Sequence, residues 1–390
     1  MKIMILNSLY YPYKFGGAEV SVQLLAEELV KKNHEVRVVT LNDHGSIKKE
    51  VINGVKVISL PLKNRYWPFS SEAHSRIQKL FWHLKDVYNA DMVSMVHNEI
   101  TNFSPDIIHT NNLAGFSIGV WDVVKRDNYK LVHTARDYYL FHPNSTLFKN
   151  GVNIDPDSKI VKLLSFYKKN KSQKIDAFVG ISQHISLMHK NNGFAKKALF
   201  AHIYNPVDKP DKVKREKTKI ITVGFIGRFT TEKGFDIFSE YAKKYQDCMK
   251  FIAAGKASSS NESNLLITDA KLSGVEIQGY VPVEDFLNEV DAILLPTKWH
   301  EPFGRVVAEA ALSRTPIFTN LTGGVKEIAE MFPWVLSVDE FSPKKIKTIL
   351  GYLNTEKEVE NPFNKEEHAG YYIDIYNKLL DVENKKHDGV

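Results

Sequence analysis

Two glutamates separated by seven residues are the first feature of this sequence that could do chemistry. Glu301 and Glu309 begin and end the segment EPFGRVVAE. Pro302 and Gly304 keep a helix from starting earlier, so we expect Glu301 on a loop and Glu309 on the following helix. The neighbours of Glu309 are nearly all Val and Ala, and a carboxylate there is costly unless it accepts hydrogen bonds. Sugar hydroxyls would be fitting donors.

Two cations and two glycine pairs could bind anions. Arg228 and Lys233 flank a loop that ends in glycine after an apolar strand, where they could neutralise a diphosphate leaving group, or they are ordinary exposed basic residues. The pairs Gly16–Gly17 and Gly323–Gly324 either place a phosphate at a helix N-terminus or form simple turns. No GxGxxG or Walker A pattern accompanies them.

The segment from Arg65 to Tyr88 interleaves aromatic side chains with Arg and Lys. Such a mixture suits an interfacial segment against anionic lipid, whereas the alternative is a buried helix with basic ends that reach the solvent. Charge supports an anionic partner, because the chain up to residue 215 contains 31 Lys and Arg against 19 Asp and Glu. A solvated basic face is the simpler explanation.

Apolar patterns predict the elements that position these residues. KIMIL predicts a strand, a loop runs from Asn7 to Gly17, a helix follows from Ala18, and VRVVT predicts the next strand. The same order returns with ITVGFIG, RFTTEKG, FDIFSEYAKKY and FIAAG. The chain is therefore predicted to be α/β, with two doubly wound domains joined by a charged linker at 209–218.

Further segments extend this scheme. DIIHTN, KLVHTA, IDAFVGIS, VEIQGYV, DAILLPT and TPIFTN predict strands, and VEDFLNEV, RVVAEAAL and KEEHAGYYIDIYNKLLD predict helices. The single cysteine, Cys248, excludes an intramolecular disulfide and a cysteine-cluster metal site. Because neither a signal-like N-terminus nor a long apolar run occurs, we expect a cytoplasmic protein, or one peripheral at the inner face of the membrane.

Five motifs in order resemble the family 4 glycosyltransferases, which are retaining enzymes of the GT-B fold that use nucleotide-sugar donors. They are GGAE (16–19), NPVD (205–208), GRFTTEKG (227–234), EPFGRVVAE (301–309) and TGGVKEI (322–328). The resemblance covers nearly the whole chain. It implies two Rossmann-like domains facing a central cleft: an acceptor-side domain of residues 1–208 with a returning helix at 363–390, and a donor-binding domain of residues 209–362.

The resemblance also implies roles for particular residues. Glu301 would contact the hydroxyls of the transferred sugar, and Glu309 would contact the nucleotide ribose. Arg228 and Lys233 would hold the donor diphosphate and assist its departure in place of a divalent metal, so that no cofactor is expected. The other implied contacts are Gly17 and the backbone N–H groups of Phe303, Gly304 and Arg305 for the donor, and Gly16, Glu19 and His133 on the acceptor side.

One position departs from the family pattern. The family often has a histidine near the sugar in a T-x-H-D sequence, but HTARDYY places Arg136 there, beside Asp137. Either Arg136 supplies the stabilising charge or His133 does so from a shifted register, and the first is preferred. His133 is then a strand residue with a satisfied hydrogen bond.

The resemblance implies transfer of a sugar from a nucleotide-sugar to a glycan or lipid-linked acceptor, in cell-surface polysaccharide or glycolipid synthesis. Retention would follow from same-face substitution, with the diphosphate accepting the acceptor's proton. A double displacement would need a carboxylate nucleophile, for which Asp137 is the candidate. The alternatives are a nucleotide-sugar epimerase or hydrolase of the same fold and a catalytically silent sugar-nucleotide binding subunit. Nucleic acid is not expected as a partner, because no binding motif for it occurs.

Overall fold

A computed structural model describes residues 1–13, 16–70, 72–210, 220–257, 261–355 and 360–387. Side chains at 261, 355 and 382–387 are not part of that description. The predicted linker spans 209–218, and its part from residue 211 onward lies outside the described residues.

The strands follow the chain in this order: β1 (Lys2–Leu6), β2 (Glu35–Asn42), β3 (Lys48–Ile52), β4 (Val55–Pro61), β5 (Ile107–Thr110), β6 (Lys130–Ala135), β7 (Phe148–Lys149), β8 (Val152–Asn153), β9 (Ala177–Gly180), β10 (Leu199–His202), β11 (Ile221–Ile226), β12 (Met249–Ala254), β13 (Val275–Gly279), β14 (Ala292–Leu295), β15 (Ile317–Thr319) and β16 (Val335–Ser337). The helices are α1 (Gly17–Lys31), α2 (Arg76–Val87), α3 (Ala90–Phe103), α4 (Val120–Arg126), α5 (Lys159–Ser172), α6 (Gln183–Asn191), α7 (Phe235–Tyr245), α8 (Asn261–Leu272), α9 (Val283–Asn288), α10 (Arg305–Leu312), α11 (Gly324–Met331), α12 (Pro343–Thr355) and α13 (Lys365–His387).

The chain divides into two units, and both contain more than one segment. The first unit comprises Met1–Leu147, Asp155–Pro206 and Phe363–Val390, and the second comprises Phe148–Ile154 and Val207–Pro362. The sequence-based boundaries placed residues 148–154 in the first domain, which is wrong. The short β7–β8 hairpin makes its contacts within the second unit. These contacts are long-range and leave no trace in local periodicity, so the sequence did not predict them.

The first unit is built on a sheet of strand order β10-β9-β6-β5-β1-β2-β4-β3, in which only the β3–β4 pair is antiparallel among the described pairings. β1 is predicted correctly: Ile3 to Leu6 are fully buried, as expected for a parallel strand covered on both faces. The sequence KKEVI makes β3 a charged, mostly exposed edge strand, which disfavours pairing with another chain.

The second unit has a parallel sheet of order β13-β12-β11-β14-β15-β16 in the described part of the chain. The predicted helices FDIFSEYAKKY and RVVAEAAL coincide with α7 and α10. Both units therefore have the doubly wound α/β architecture that the sequence predicts. In each of these two sheets the strand order reverses beside the strand that comes first in that sheet, β1 or β11, which creates a crevice at the carboxyl ends of the strands.

Candidate active site

The second unit brings two predicted motifs together where its strand order reverses. Strands β12 and β13 extend from β11 on one side, and β14, β15 and β16 extend from it on the other. Doubly wound sheets bind ligands outside the carboxyl ends of the strands at such a switch point. The loop after β11 contains Arg228 and Lys233, and the loop after β14 contains Glu301. Topology therefore places these residues at the expected ligand edge.

Lys233 and Glu301 form an ion pair between the two loops. Lys233 Nζ lies 2.5 Å from Glu301 Oε2, and the Trp299 indole Nε1 donates to the same oxygen at 2.9 Å. Lys233 Nζ also lies 5.0 Å from the centre of the Trp299 ring, within cation–π range. Glu301 Oε1 makes no hydrogen bond to any described residue, so it can accept one from a ligand hydroxyl.

Arg228 does not join this ion pair. Its Nη2 lies 2.5 Å from Glu232 Oε1, and 56% of its side chain is exposed. The backbone carbonyl of Glu232 accepts the Lys298 N–H at 2.9 Å and the Thr297 hydroxyl at 3.2 Å. The Arg228 loop is thus bonded to the Glu301 loop through Glu232, while the guanidinium remains accessible to an anion.

Glu309 lies on α10, largely buried, as the apolar sequence around it predicts. Its partner is Arg305 one turn earlier, whose Nε donates to Glu309 Oε1 at 3.0 Å. Burial raises the pKa of Glu309, and the Arg305 charge opposes this shift. The sequence predicts only a backbone contact for Arg305, so the role of its side chain was missed.

The glycines around Glu301 allow close backbone packing. Gly304 precedes α10 with φ +93°, and Phe303 beside it is buried. A Cβ on Gly323 would lie 2.4 Å from the Glu301 carbonyl oxygen, which in turn accepts the Gly324 N–H at 2.8 Å. The Gly323–Gly324 pair therefore packs directly against the Glu301 loop.

Asn153, in the β7–β8 hairpin, also contacts this loop. Its Nδ2 donates to the Lys298 carbonyl at 2.9 Å, and its Oδ1 accepts the His300 N–H at 3.2 Å. One amide side chain thus bonds to the backbone on both sides of Trp299. No sequence signal could have identified Asn153, because more than 140 residues separate it from its partners.

In the first unit, the GGAE motif starts α1 after β1. Gly16 has extended backbone, and its N–H donates to Glu19 Oε2 at 2.9 Å. This is the carboxylate half of a capping box, which stabilises the first turn beginning at Gly17. Burial raises the pKa of Glu19, and the nearby Arg136 charge opposes the shift.

Arg136 follows β6 directly, and its guanidinium is buried. Its Nε donates to Asn111 Oδ1 at 2.9 Å, and its Nη1 donates to Asn205 Oδ1 at 2.7 Å. Its Nη2 has no hydrogen-bond partner, and the described residues include no carboxylate in a salt bridge with it. A buried cation held by neutral amides is costly to keep in a fold and is typical of a binding position for an anion or a polar ligand.

Asp137 and His133 lie beside Arg136 around a cavity of about 10 Å³, enough for one water molecule. Burial raises the pKa of Asp137 to about 6, while its Oδ1 accepts the Tyr139 N–H at 2.8 Å. Burial lowers the pKa of His133 to about 3, so the ring is neutral, and its Nδ1 lies 3.0 Å from the Thr110 hydroxyl oxygen. His133 is thus a buried strand residue with a satisfied hydrogen bond.

The structure thus groups the predicted residues into two sets, one in each unit. Lys233, Glu301, Phe303, Gly304, Arg305 and Glu309 lie on the two adjacent loops of the second unit or at the start of α10, with Arg228 on the first of those loops. Gly16, Gly17, Glu19, His133, Arg136 and Asp137 lie near the carboxyl ends of β1 and β6. Trp299, Asn111 and Asn205 were missed, although each has a signal: Trp299 is two residues from Glu301, Asn111 ends a predicted strand and Asn205 starts NPVD.

Within the described residues, no helix is long and apolar enough to cross a membrane. In the same part of the chain, no group of three or more His, Cys, Asp or Glu side chains is arranged to hold a metal ion.

Comparison with known proteins agrees with this architecture. Residues 15–209 match the family described as Glycosyltransferase Family 4, and residues 207–366 match Glycosyl transferases group 1. The chain is 41% identical over 376 residues to an uncharacterized 42.6 kDa protein in the cps region of Klebsiella pneumoniae, covering 96% of this chain and 100% of that one. It is 23% identical over 345 residues to the GPI3 subunit of a Saccharomyces cerevisiae phosphatidylinositol N-acetylglucosaminyltransferase, covering 84% and 69% of the two chains.

Among solved structures, HepE of Anabaena in complex with UDP superposes with a TM-score of 0.62 at 15% identity, covering 99% of this chain and 100% of that one. The family matches and the two doubly wound sheets together identify a glycosyltransferase of the GT-B fold. The chain belongs to glycosyltransferase family 4. Of the sequence-based interpretations, the family, the fold class and the assignment as a transferase are confirmed.

Proposed function

We propose that this glycosyltransferase moves a sugar, with retention of anomeric configuration, from a nucleotide-sugar held by the second unit to a glycan or lipid-linked acceptor on the first. The observation that carries the proposal is the Lys233–Glu301 pair at the switch point of the second sheet. It offers one cation for phosphate oxygens and one unused carboxylate oxygen for a sugar hydroxyl. Supporting it, the Anabaena neighbour binds UDP.

The donor diphosphate is assigned to Lys233 and Arg228. Negative charge grows on the leaving diphosphate as the glycosidic bond breaks, and preorganised cations stabilise that charge most where water is excluded. Lys233 is held by Glu301 and Trp299, so it needs little reorganisation, while Arg228 is exposed and can close onto the phosphates. We infer that these two cations act in place of a divalent metal and that transfer needs no cofactor.

The nucleotide ribose is assigned to Glu309. A largely buried carboxylate with a raised pKa gains from each hydrogen bond donated to it, and a ribose offers two adjacent hydroxyls. Arg305 keeps Glu309 in one orientation. The backbone N–H groups of Phe303, Gly304 and Arg305 lie at the start of α10, where the helix dipole favours a bound oxyanion.

The acceptor side is assigned to the first unit. The Arg136 Nη2 is a buried donor with no partner in the described structure, which supports a role for Arg136 in placing charge beside the transferred sugar. Gly16, Gly17 and Glu19 lie in the loop and first turn at the start of α1. Same-face substitution, in which the departing diphosphate takes the acceptor's proton, requires no protein nucleophile. The alternative, a double displacement through Asp137, is weakened by its pKa of about 6, which leaves much of the carboxyl protonated in mildly acid solution.

The product class proposed is a cell-surface polysaccharide or glycolipid. The Saccharomyces relative is named for N-acetylglucosaminyl transfer to phosphatidylinositol, which supports a lipid-linked acceptor here. A nucleotide-sugar epimerase or hydrolase would use the same donor site without an acceptor, so turnover of donor alone would favour that reading.

A thermal-shift screen of the purified chain against UDP-, GDP-, ADP- and CMP-sugars, with and without EDTA, tests the donor assignment. A ligand that binds only the folded state raises the melting temperature. Stabilisation by one nucleotide class, unchanged by EDTA and reduced in Glu309→Gln, is the expected result. No shift with any nucleotide-sugar, or a shift abolished by EDTA, would contradict the proposal. The anomeric configuration of the product, measured by NMR, then tests retention.

A further inference from the structure

Helix α2 presents its apolar face to solvent instead of to the core. Ile77, Leu80, Phe81 and Leu84 recur at the spacing that usually marks the buried side of an amphipathic helix. Ile77, Leu80 and Leu84 are nonetheless 67%, 57% and 58% exposed. The buried side of α2 consists of Trp82 and Asp86.

Helix α5 does the same. Ile160, Leu163, Leu164 and Tyr167 follow one another at helical spacing, and Ile160 and Leu163 are 70% and 77% exposed. Phe166 on the same helix is 62% exposed. The buried positions of α5 are polar apart from one valine: Val161, Ser165, Lys168 and Ser172. Exposed apolar side chains concentrated on two helices mark an interaction surface, whereas single ones scattered over a protein do not.

Tyr139 links the two helices in the first unit. The Tyr139 hydroxyl donates to Asp86 of α2 at 2.7 Å, and its carbonyl accepts from Lys168 of α5 at 2.7 Å. Tyr88 directly follows α2, and Lys171 Nζ of α5 lies 5.8 Å from the centre of its ring. Tyr88 is half-exposed, so the surfaces of α2 and α5 adjoin at this contact, and we call the outward residues of the two helices together the α2–α5 face.

The charges on the α2–α5 face have one sign. The only acidic residue of either helix is Asp86, which is buried. Lys85, Lys162 and Lys171 pair with acidic residues outside the two helices. The remaining outward basic residues have no acidic partner in the described part of the chain: Arg76, Lys79, Lys159 and Lys169. Arg65 adds a further cation, stacked 4.5 Å from the Phe81 ring centre.

We propose that the α2–α5 face docks the enzyme on an anionic lipid bilayer. Exposed Leu, Ile and Phe side chains would enter the boundary between headgroups and acyl chains while the surrounding Lys and Arg contact lipid phosphates. A second copy of the chain fits less well, because a twofold contact would place like charges against each other. The inference goes beyond the proposed transfer and does not depend on the identity of donor or acceptor.

Vesicle co-sedimentation of the full chain tests the proposal. The lipids are phosphatidylcholine alone and an equal mixture of phosphatidylcholine and phosphatidylglycerol. The test variants are Leu80→Ser with Leu84→Ser in α2, Leu163→Ser with Phe166→Ser in α5, and Lys79→Ala with Lys159→Ala. The matched control is Leu265→Ser with Leu272→Ser, which removes two comparably exposed leucines from α8 of the second unit.

The expected result is binding to the mixed vesicles that weakens with salt, and much weaker binding to phosphatidylcholine alone. Each pair of test substitutions should reduce binding roughly tenfold or more, while the α8 control binds like the unsubstituted chain. The proposal is overturned if the unsubstituted chain stays in the supernatant with anionic vesicles, or if the test variants bind as well as it does. It is equally overturned if analytical ultracentrifugation shows a dimer that the serine variants abolish while vesicle binding is absent.

All these positions are exposed, so the variants should fold. The nucleotide-sugar thermal shift measured on the same samples shows whether the donor site is intact. Loss of vesicle binding with that shift preserved separates membrane docking from the proposed transfer chemistry.

Discussion

At the residue scale, the two units hold their charged groups in different ways. In the second unit the three cations of the candidate site have carboxylate partners: Lys233 pairs with Glu301, Arg228 with Glu232 and Arg305 with Glu309. In the first unit, two asparagine amides accept hydrogen bonds from Arg136 Nε and Nη1 without cancelling its charge, and Nη2 has no partner among the described residues. A buried positive charge therefore remains beside Asp137.

Lys233→Ala is expected to lower kcat by on the order of 100-fold or more while changing KM for the donor much less, because the ammonium acts on charge that develops during bond breaking. Steady-state kinetics with the donor found in the screen measures this split. Lys250→Ala is the control, since Lys250 pairs with Glu276 at the exposed edge of the sheet. A change confined to KM would mean that Lys233 binds ground state and transition state equally.

Asp137→Asn is expected to change how stability depends on pH. The folded-state pKa of about 6 lies above the unfolded value, so the folded protein loses stability as pH rises from about 4 to about 6 and stays at the lower level above that. Asparagine keeps the Tyr139 hydrogen bond without the charge. As pH rises from about 4 to about 6, the free energy of unfolding of Asp137→Asn should increase by about 2 kcal/mol relative to that of the unsubstituted chain, a value reduced for partial exposure of the carboxyl.

Urea unfolding at a series of pH values measures that difference. Asp157→Asn serves as control, because this carboxylate is exposed in the same unit and pairs with Lys162. If the difference between Asp137→Asn and the unsubstituted chain does not vary with pH, Asp137 does not titrate as burial implies.

At the element scale, the donor site depends on how closely two loops approach each other. The loop after β11 ends at Gly234, with φ +74°, where α7 begins. A Cβ there would lie 1.9 Å from the carbonyl oxygen of Pro296 in the loop after β14. Any larger side chain would separate the two loops that carry Lys233 and Glu301.

Gly234→Ala is therefore expected to cost roughly 3 kcal/mol or more in free energy of unfolding and to weaken the nucleotide-sugar response. Gly279→Ala is a matched control: it has the same left-handed backbone, φ +76°, with no atom within 4 Å of the added Cβ. Gly279→Ala should lower the free energy of unfolding by only about 1 kcal/mol, which is the cost of a left-handed backbone for a residue with a Cβ. Equal losses in the two variants, measured by urea unfolding, would show that the contact with Pro296 does not constrain the site.

At the scale of the whole molecule, α13 completes the core of the first unit although it follows the second unit in the chain. Ala369, Tyr372, Ile375 and Tyr376 are buried in the same cluster as β1 and α1. The Tyr376 hydroxyl lies 2.7 Å from His109 Nδ1, and the Tyr372 hydroxyl lies 2.9 Å from Thr134 Oγ1. The first unit thus depends on a segment that follows the second.

A chain ending at Pro362 is expected to lose the cooperative unfolding of the first unit, because each large buried side chain contributes about 1.5–3 kcal/mol. The second unit should keep its own transition and its nucleotide response. The control is a chain ending at Asp381, which retains all four core residues of α13. Differential scanning calorimetry with and without nucleotide-sugar compares them, and an unchanged profile for the shorter chain would contradict this role of α13.

Local sequence determined much of this molecule. Apolar periodicity predicted β1, α7 and α10, because those patterns depend only on neighbouring residues. Pro302 and Gly304 predicted correctly that a helix begins between Glu301 and Glu309. The five ordered motifs indicated the family, and with it the return of the last helix to the first unit.

The tertiary structure decided what depends on distant contacts. The placement of the β7–β8 hairpin beside Glu301, the asparagine partners of Arg136 and the position of Trp299 at the Lys233–Glu301 pair all join residues whose proximity no local pattern encodes. The outward apolar faces of α2 and α5 are the clearest case. Their periodicity is that of buried helices, and only the packing around Tyr139, Asp86 and Lys168 turns those faces to the solvent, because a helix pattern specifies one apolar side but not what that side meets.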